Sequence, residues 1–179
     1  MTLLWGSRYI VIITPFADHI RELFPDAIEP SKLTPYWQGR LFVVPIADKL
    51  QYETLRTAVS IPPQNEGLIE AFYYHNDQNY TTYCNEEFLF SPETTLRNPL
   101  NWIIREEERG IAGSIVITQG LTRNGDTPAM TENRLARLLR YFREPDLSGL
   151  WDSSRRWRQF IQMRQHGIPM GADSYVIPW

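Results

Sequence analysis

The stretch Arg8–Ile13, RYIVII, is the strongest signal for the fold in this chain. Its five consecutive hydrophobic residues, Tyr9–Ile13, predict a strand that is buried on both faces, because a half-exposed strand would alternate apolar and polar residues. Thr14 and Pro15 follow, a pair that is typical of a helix N-cap and first helical position. We therefore expect a buried strand that leads directly into a helix ending at Pro25.

The same kinds of pattern predict further strands along the chain. Apolar runs predict strands at Arg40–Ile46 and Ser114–Thr118. Two aromatic and β-branched segments, Leu68–Tyr74 and Tyr80–Cys84, flank a polar turn and predict a hairpin, with a helix over the first segment as the alternative. The short segments Phe88–Phe90 and Tyr175–Ile177 are candidates for additional strands.

Helices are predicted between these strands. The predicted starts after the first helix are Asp48, Asn98, Thr131 and either Asp152 or Ser153. The helix from Thr131 carries leucines and a phenylalanine at the i, i+3, i+4, i+7 spacing of an amphipathic helix. The sequence thus predicts one globular domain over residues 1–179, of the α+β or mixed α/β class, with a single sheet, about five helices and a C-terminal basic helical pair.

Charge is distributed unevenly along the chain. Residues 1–122 contain nine basic and fifteen acidic side chains, a net of −6, whereas residues 123–179 contain nine basic and six acidic ones, a net of +3. Only Lys32 and Lys49 are lysines, so nearly all of the positive charge is arginine. Arginine favours planar, bidentate pairing with carboxylates and phosphates, which indicates a candidate binding surface in the C-terminal third.

The candidate surface is the basic helical pair. The first helix places four arginines at three-residue intervals, and the second adds four around a tryptophan, the last of them Arg164. The predicted binding residues of the pair are Arg134, Arg137, Arg140, Arg143, Arg155, Arg156, Trp157 and Arg158. An acidic protein surface or phosphates would suit such an array. The alternative is that these are solvated faces of two ordinary amphipathic helices.

The segment Gln119–Met130 is the second candidate site. It is a long polar segment that follows an apolar strand and precedes a helix, and Arg123, Asn124 and Asp126 supply its polar side chains. In open α/β sheets, ligands bind beyond the carboxyl ends of strands, so this loop would suit an anionic substrate beside Thr14 and Thr118. The alternative is a solvent loop in which Asn124–Asp126 make a turn.

Residues with typical catalytic chemistry are sparse. None of the three histidines lies at metal-ligand spacing from another histidine or cysteine, so we expect no metal and no cofactor. Cys84 at the end of the second hairpin strand and His75 at the predicted turn are a conceivable nucleophile–base pair across the hairpin. A small buried thiol is the alternative role for Cys84.

These observations favour a non-catalytic protein that binds a macromolecule, such as an accessory, inhibitor or immunity-type protein. Its partner is expected to be another protein with an acidic surface. A small enzyme with an anionic substrate at the 119–130 loop and a nucleic-acid-binding protein using the same arginines are the alternatives. The single cysteine predicts a cytoplasmic location, and no apolar run approaches the ~20 residues that span a bilayer. The sequence leaves the oligomeric state open.

Overall fold

Five strands and three helices are present in the part of the chain that the computed structural model describes. These residues are 8–33, 37, 39–46, 50–60, 69–72, 80–85, 98, 113–120 and 129–143. The strands are β1 (Arg8–Ile13), β2 (Leu41–Ile46), β3 (Ile69–Phe72), β4 (Tyr80–Asn85) and β5 (Ile115–Gln119). The helices are α1 (Ala17–Leu23), α2 (Tyr52–Ala58) and α3 (Glu132–Arg143).

The five strands form one sheet in the order β2-β1-β5-β4-β3, and every neighbouring pair is antiparallel. β1 pairs with β2 along its whole length, from Arg8 opposite Ile46 to Ile13 opposite Leu41, and with β5 on its other side. Every residue of Tyr9–Ile13 is buried, which confirms the prediction of a strand covered on both faces. The fold is therefore a mixed α+β fold around a single sheet.

The predicted hairpin is also confirmed. β3 and β4 pair antiparallel, with Ile69 opposite Asn85 and Phe72 opposite Thr82. The alternative of a helix over Leu68–Tyr74 is therefore wrong. The register places Cys84 opposite Glu70, and His75 lies outside the described residues.

Helices cover both faces of the sheet. On one face, Ile10 and Ile12 share a hydrophobic core with Ile20 of α1 and with Leu55 and Ala58 of α2. On the other face, α3 packs against β1 and buries its apolar side. The buried side chains of α3 are Leu135, Leu138, Leu139 and Phe142. Burying each of these side chains is worth about 1.5–3 kcal/mol, so packing on the sheet is a main source of α3 stability.

The first helix begins later than its sequence predicts. Thr14 still belongs to the end of the sheet, because its N–H donates to the carbonyl of Arg40 at 2.9 Å. The N-cap of α1 is Phe16, which makes no side-chain capping bond, and Thr14 Oγ1 instead accepts a hydrogen bond from the Phe16 N–H at 2.8 Å. The predicted N-cap at Thr14 is therefore wrong.

The start of α2 also differs from the prediction. The helix begins at Tyr52 with Gln51 as N-cap, rather than at Asp48. Leu55 and Val59 are buried as predicted, but Tyr52 is 57% exposed, although the helical spacing places it on the same apolar side. As the first residue of the helix, Tyr52 lies beyond the part of α2 that packs on the core.

The prediction of about five helices is not supported by the described residues, which contain three. The predicted helices that begin at Asn98 and at Asp152 or Ser153 lie outside them, apart from Asn98 itself, as do the strand candidates Phe88–Phe90 and Tyr175–Ile177. Of the predicted basic helical pair, only α3 is described. None of the three described helices is long and apolar enough to cross a membrane.

Candidate functional site

Of the predicted basic surface, the structure describes α3. This helix contains four arginines and a single acidic residue, Glu132. Successive arginines are three residues apart, so each lies about 60° behind the previous one around the helix axis. Arg134 and Arg143 are consequently on opposite sides of the helix, and Arg137 and Arg140 lie between them on the side away from the sheet. The four arginines form an arc rather than a single row.

Solvent exposure differs between the two ends of this arc. Arg137, Arg140 and Arg143 are exposed, whereas Arg134 is partly buried. Arg134 lies about 40° from the buried Leu138, but Arg143 lies equally close to the buried Leu139, so angular position alone does not account for the difference. The spacing alone does not reveal this difference, because it treats all four arginines as members of one polar face.

Polar side chains hold the start of α3 against the sheet. Thr131 Oγ1 accepts a hydrogen bond from the Arg134 N–H at 3.3 Å, which caps the helix. Gln119 Oε1 at the end of β5 accepts a hydrogen bond from the Thr131 N–H at 3.3 Å. The Tyr80 hydroxyl on β4 donates to the Arg134 carbonyl at 3.0 Å. The first turn of α3 is therefore fixed by side chains from β4, β5 and its own cap.

Two other arginines in the described part of the chain, Arg21 and Arg56, have acidic partners. Arg21 donates to Asp18 at 3.0 Å and also to Glu29, and its guanidinium lies 5.2 Å from the ring centre of Phe42. The hydrogen bond to Glu29, together with the nearby carboxylate charges, raises the pKa of Arg21 above its ordinary value. These contacts lie on the sheet face that carries α1 and α2.

The remaining predicted binding residues lie outside the described residues. They are Arg155, Arg156, Trp157 and Arg158 of the second basic helix and Arg123, Asn124 and Asp126 of the 119–130 loop. The side-by-side packing of the two basic helices therefore stays a prediction. Both ends of the loop are fixed, because Met130 forms a bridge with Tyr9 and Gln119 bonds to Thr131.

The sheet does not support a ligand crevice beside both Thr14 and Thr118. That expectation required the carboxyl ends of neighbouring strands to meet at one edge, but β1 and β5 are antiparallel. Thr14 instead lies beside Ser114, with 2.7 Å between their hydroxyl oxygens. Thr118 is four residues further along β5, or about 14 Å away at the rise of an extended strand. The two threonines are fully buried at separate places in the sheet.

The pairing of Cys84 with His75 stays a prediction, because His75 lies outside the described residues. The Cys84 side chain itself is buried. His19 Nε2 lies 3.3 Å from Ser60 Oγ, a contact across 41 residues that no spacing rule could have found. Ser60 Oγ donates to the Thr57 carbonyl at 2.8 Å, so the histidine nitrogen is the donor to Ser60 and does not act as its base. Within the described ranges, no group of three potential metal ligands comes together.

No family model, curated protein or solved structure matches this chain.

Proposed function

We propose that this protein is a non-catalytic binding protein that recognises an acidic surface on another protein through the exposed side of α3. The observation that carries the proposal is the exposure of Arg137, Arg140 and Arg143 on a helix whose opposite side is anchored in the core. A rigid helix presents its arginines with little loss of backbone entropy on binding. Arginine is also enriched among the residues that dominate interface energies.

The charge of the whole chain favours a protein partner over nucleic acid. The net charge is −3, and the acidic excess lies in residues 1–122. A general nucleic-acid binder would carry a basic surface over much of its domain, whereas a local arginine cluster suits a partner with clustered carboxylates. The repulsion between the acidic remainder and an acidic partner would orient the complex so that α3 makes the contact.

The full surface that we propose extends beyond α3. Arg155, Arg156, Trp157 and Arg158 would add a tryptophan anchor and further guanidinium groups if the second basic helix packs beside α3. Arg123, Asn124 and Asp126 would contribute polar contacts at the border, because their loop ends at Met130, immediately before α3. We place this interaction in the cytoplasm, in keeping with the single cysteine of the chain.

The test is a native pull-down from the source cells with the full chain and two charge-reversal variants. Arg137→Glu/Arg140→Glu changes the exposed side of α3. Arg8→Glu/Arg56→Glu is the matched control, because it changes the net charge by the same amount outside α3, at the exposed first residue of β1 and in the last turn of α2. Proteins and nucleic acids are both identified in the eluate, and circular dichroism verifies that both variants fold.

The proposal expects a protein partner that the control retains and the α3 variant loses. Two reversed interface arginines would weaken binding by about 100-fold or more, since truncating a buried charge-pair partner already costs about 2–5 kcal/mol. Retention of the partner by the α3 variant would mean that another surface binds it. If only nucleic acid is recovered, and the α3 variant loses it, the partner is a polynucleotide and not a protein.

A further inference from the structure

The segment 17–29, which contains α1 and the six residues after it, has an exposed acidic side. Asp18, Glu22 and Asp26 are all exposed. Asp18 and Glu22 are four residues apart, and each points about 160° away from Ile20, the residue that α1 buries in the core. Both carboxylates therefore face solvent on the side of α1 that is turned away from the sheet.

The one arginine of this acidic segment does not cancel its charge. Arg21 pairs with Asp18 and Glu29 in exposed contacts, which exchange partners at little cost. No ion pair joins Glu22 or Asp26 to another side chain within the part of the chain that the structure describes. Four carboxylates and one guanidinium leave the acidic segment with a net charge of −3.

The exposed side of α3 carries the opposite charge in a matching geometry. With four arginines and one glutamate, this helix has a net charge of +3. Arg137 and Arg140 each point about 150° away from the centre of its buried side. They lie about 4.5 Å apart along the helix axis, and Asp18 and Glu22 lie about 6 Å apart along theirs. Because the arginine side chains are long, a pair of facing helices can bring both guanidinium groups to both carboxylates.

The acidic segment and α3 cannot neutralise each other within one molecule, because α1 and α3 cover opposite faces of the sheet. Their outer sides are separated by at least two helix diameters, or about 20 Å. The Debye length at about 0.1 M salt is only about 10 Å, so the two surfaces are screened from each other. Screening likewise weakens the general repulsion between two chains of net charge −3, whereas helices in direct contact are screened far less.

We propose that the acidic partner of α3 is the acidic segment of a second copy of this chain, so that copies associate head to tail. This inference rests on the proposed function and names its partner. Because the two surfaces lie on opposite faces of the sheet, a two-fold dimer cannot use both at once, and each added copy presents a new free end. The assemblies are therefore chains or rings of copies that grow with protein concentration.

The test is sedimentation equilibrium of the full chain over a range of protein concentrations. The average mass of the native chain should rise with concentration and fall when salt is raised from about 100 to about 500 mM, because facing charges are then screened. Glu22→Gln/Asp26→Asn neutralises the acidic segment without touching the ion pairs of Arg21. Arg137→Gln/Arg140→Gln neutralises α3. Each variant alone should self-associate at least about tenfold more weakly than the native chain.

An equimolar mixture of the two variants tests the head-to-tail geometry. Each variant retains one of the two surfaces, so the mixture should form a one-to-one dimer that does not grow further. Arg8→Gln/Arg56→Gln is the control, because it removes two positive charges outside α3 and should associate like the native chain. A mixture that stays monomeric, or unchanged self-association of either variant alone, would overturn the proposal.

The same measurements separate this inference from the proposed function. A native chain that remains monomeric up to about 1 mM would overturn the self-association. If the pull-down partner is nevertheless lost from Arg137→Glu/Arg140→Glu, the proposed function stands with a different acidic protein.

A measurement on the native chain alone covers the case in which a variant does not fold. Dilution should shift the backbone amide resonances of both α1 and α3, since one contact changes the surroundings of both helices. A shift in only one of them, or in neither, would contradict the proposal.

Discussion

Asn98 ties the ends of two neighbouring strands together. Its buried side-chain amide donates to the Ile13 carbonyl at the end of β1 and to the Gly113 carbonyl just before β5, both at 2.8 Å. Because β1 and β5 are antiparallel, these two carbonyls lie at the same end of the sheet. One amide group thus satisfies acceptors that are 100 residues apart in the chain.

Replacing Asn98 should destabilise the protein. Asn98→Leu removes both donors, and two lost hydrogen bonds to buried acceptors should lower the free energy of unfolding by roughly 2–4 kcal/mol. Asn98→Asp should cost more at neutral pH, because its carboxylate would face two carbonyl oxygens. Urea unfolding measures both variants. A change below about 0.5 kcal/mol in either variant, the range of ordinary surface substitutions, would contradict this role.

Two turn residues allow a reciprocal test of backbone conformation. Lys32 has a φ of 64° and Gly39 a φ of 70°, both in the left-handed region that L side chains rarely adopt. Lys32→Gly should therefore stabilise the protein, by at most about 1 kcal/mol, since glycine relieves the strain but loses more entropy on folding. Gly39→Ala should destabilise it by about 1 kcal/mol.

The Gly39 site isolates the backbone contribution. A Cβ built there meets only Arg21 Nη2 at 3.5 Å and Glu29 Oε1 at 3.9 Å, which are ordinary contacts. Any loss of stability in Gly39→Ala thus comes from φ rather than from a clash. In the same unfolding assay, Lys32→Gly should raise the free energy of unfolding and Gly39→Ala should lower it. Changes of the same sign would contradict the assignment of both residues to the left-handed region.

At the scale of elements, the apolar side of α3 holds this helix against the sheet. Phe142 is fully buried and meets the Trp37 ring edge-on, with 5.0 Å between ring centres. Phe142→Ala should lower the free energy of unfolding by about 3–5 kcal/mol, because it leaves a cavity between α3 and the residues that cover it. Arg143→Ala, one residue later and exposed, should change stability by less than about 0.5 kcal/mol.

Chemical denaturation of Phe142→Ala and Arg143→Ala measures this difference under one set of conditions. Equal effects of the two substitutions would mean that α3 is held on the sheet by something other than its buried side.

At the scale of the whole molecule, salt dependence should identify the type of partner. With a net charge of −3 and a local arginine surface, binding to an acidic protein should lose affinity only modestly between 50 and 200 mM salt, mainly through slower association. A nucleic acid contacted through six or more phosphates would lose about 10³-fold or more over about the same range. Surface plasmon resonance with the recovered partner measures both rate constants, and a thousandfold loss would contradict the protein-partner proposal.

The local patterns of the sequence determined most of the described elements. The RYIVII strand, the β3–β4 hairpin and the apolar side of α3 were predictable because buried strands and amphipathic helices repeat their hydrophobic residues at fixed short intervals. The acidic charge of residues 1–122 and the arginines of α3 were equally predictable, since charge is a property of composition. Helix starts were less accurate, because Thr14 serves both the end of the sheet and the approach to α1.

Only the tertiary structure decided how these elements meet. The antiparallel pairing of β1 with β5 joins segments about 100 residues apart, and no local pattern specifies such a pairing. That pairing separates Thr14 from Thr118, brings Asn98 to two strand ends and removes the crevice expected of parallel strands. It also positions α3 so that Arg134 lies beside packed residues while Arg137 and Arg140 face solvent. The physical reason is that burial depends on which surfaces come together, whereas the sequence pattern records only which residues are able to be buried.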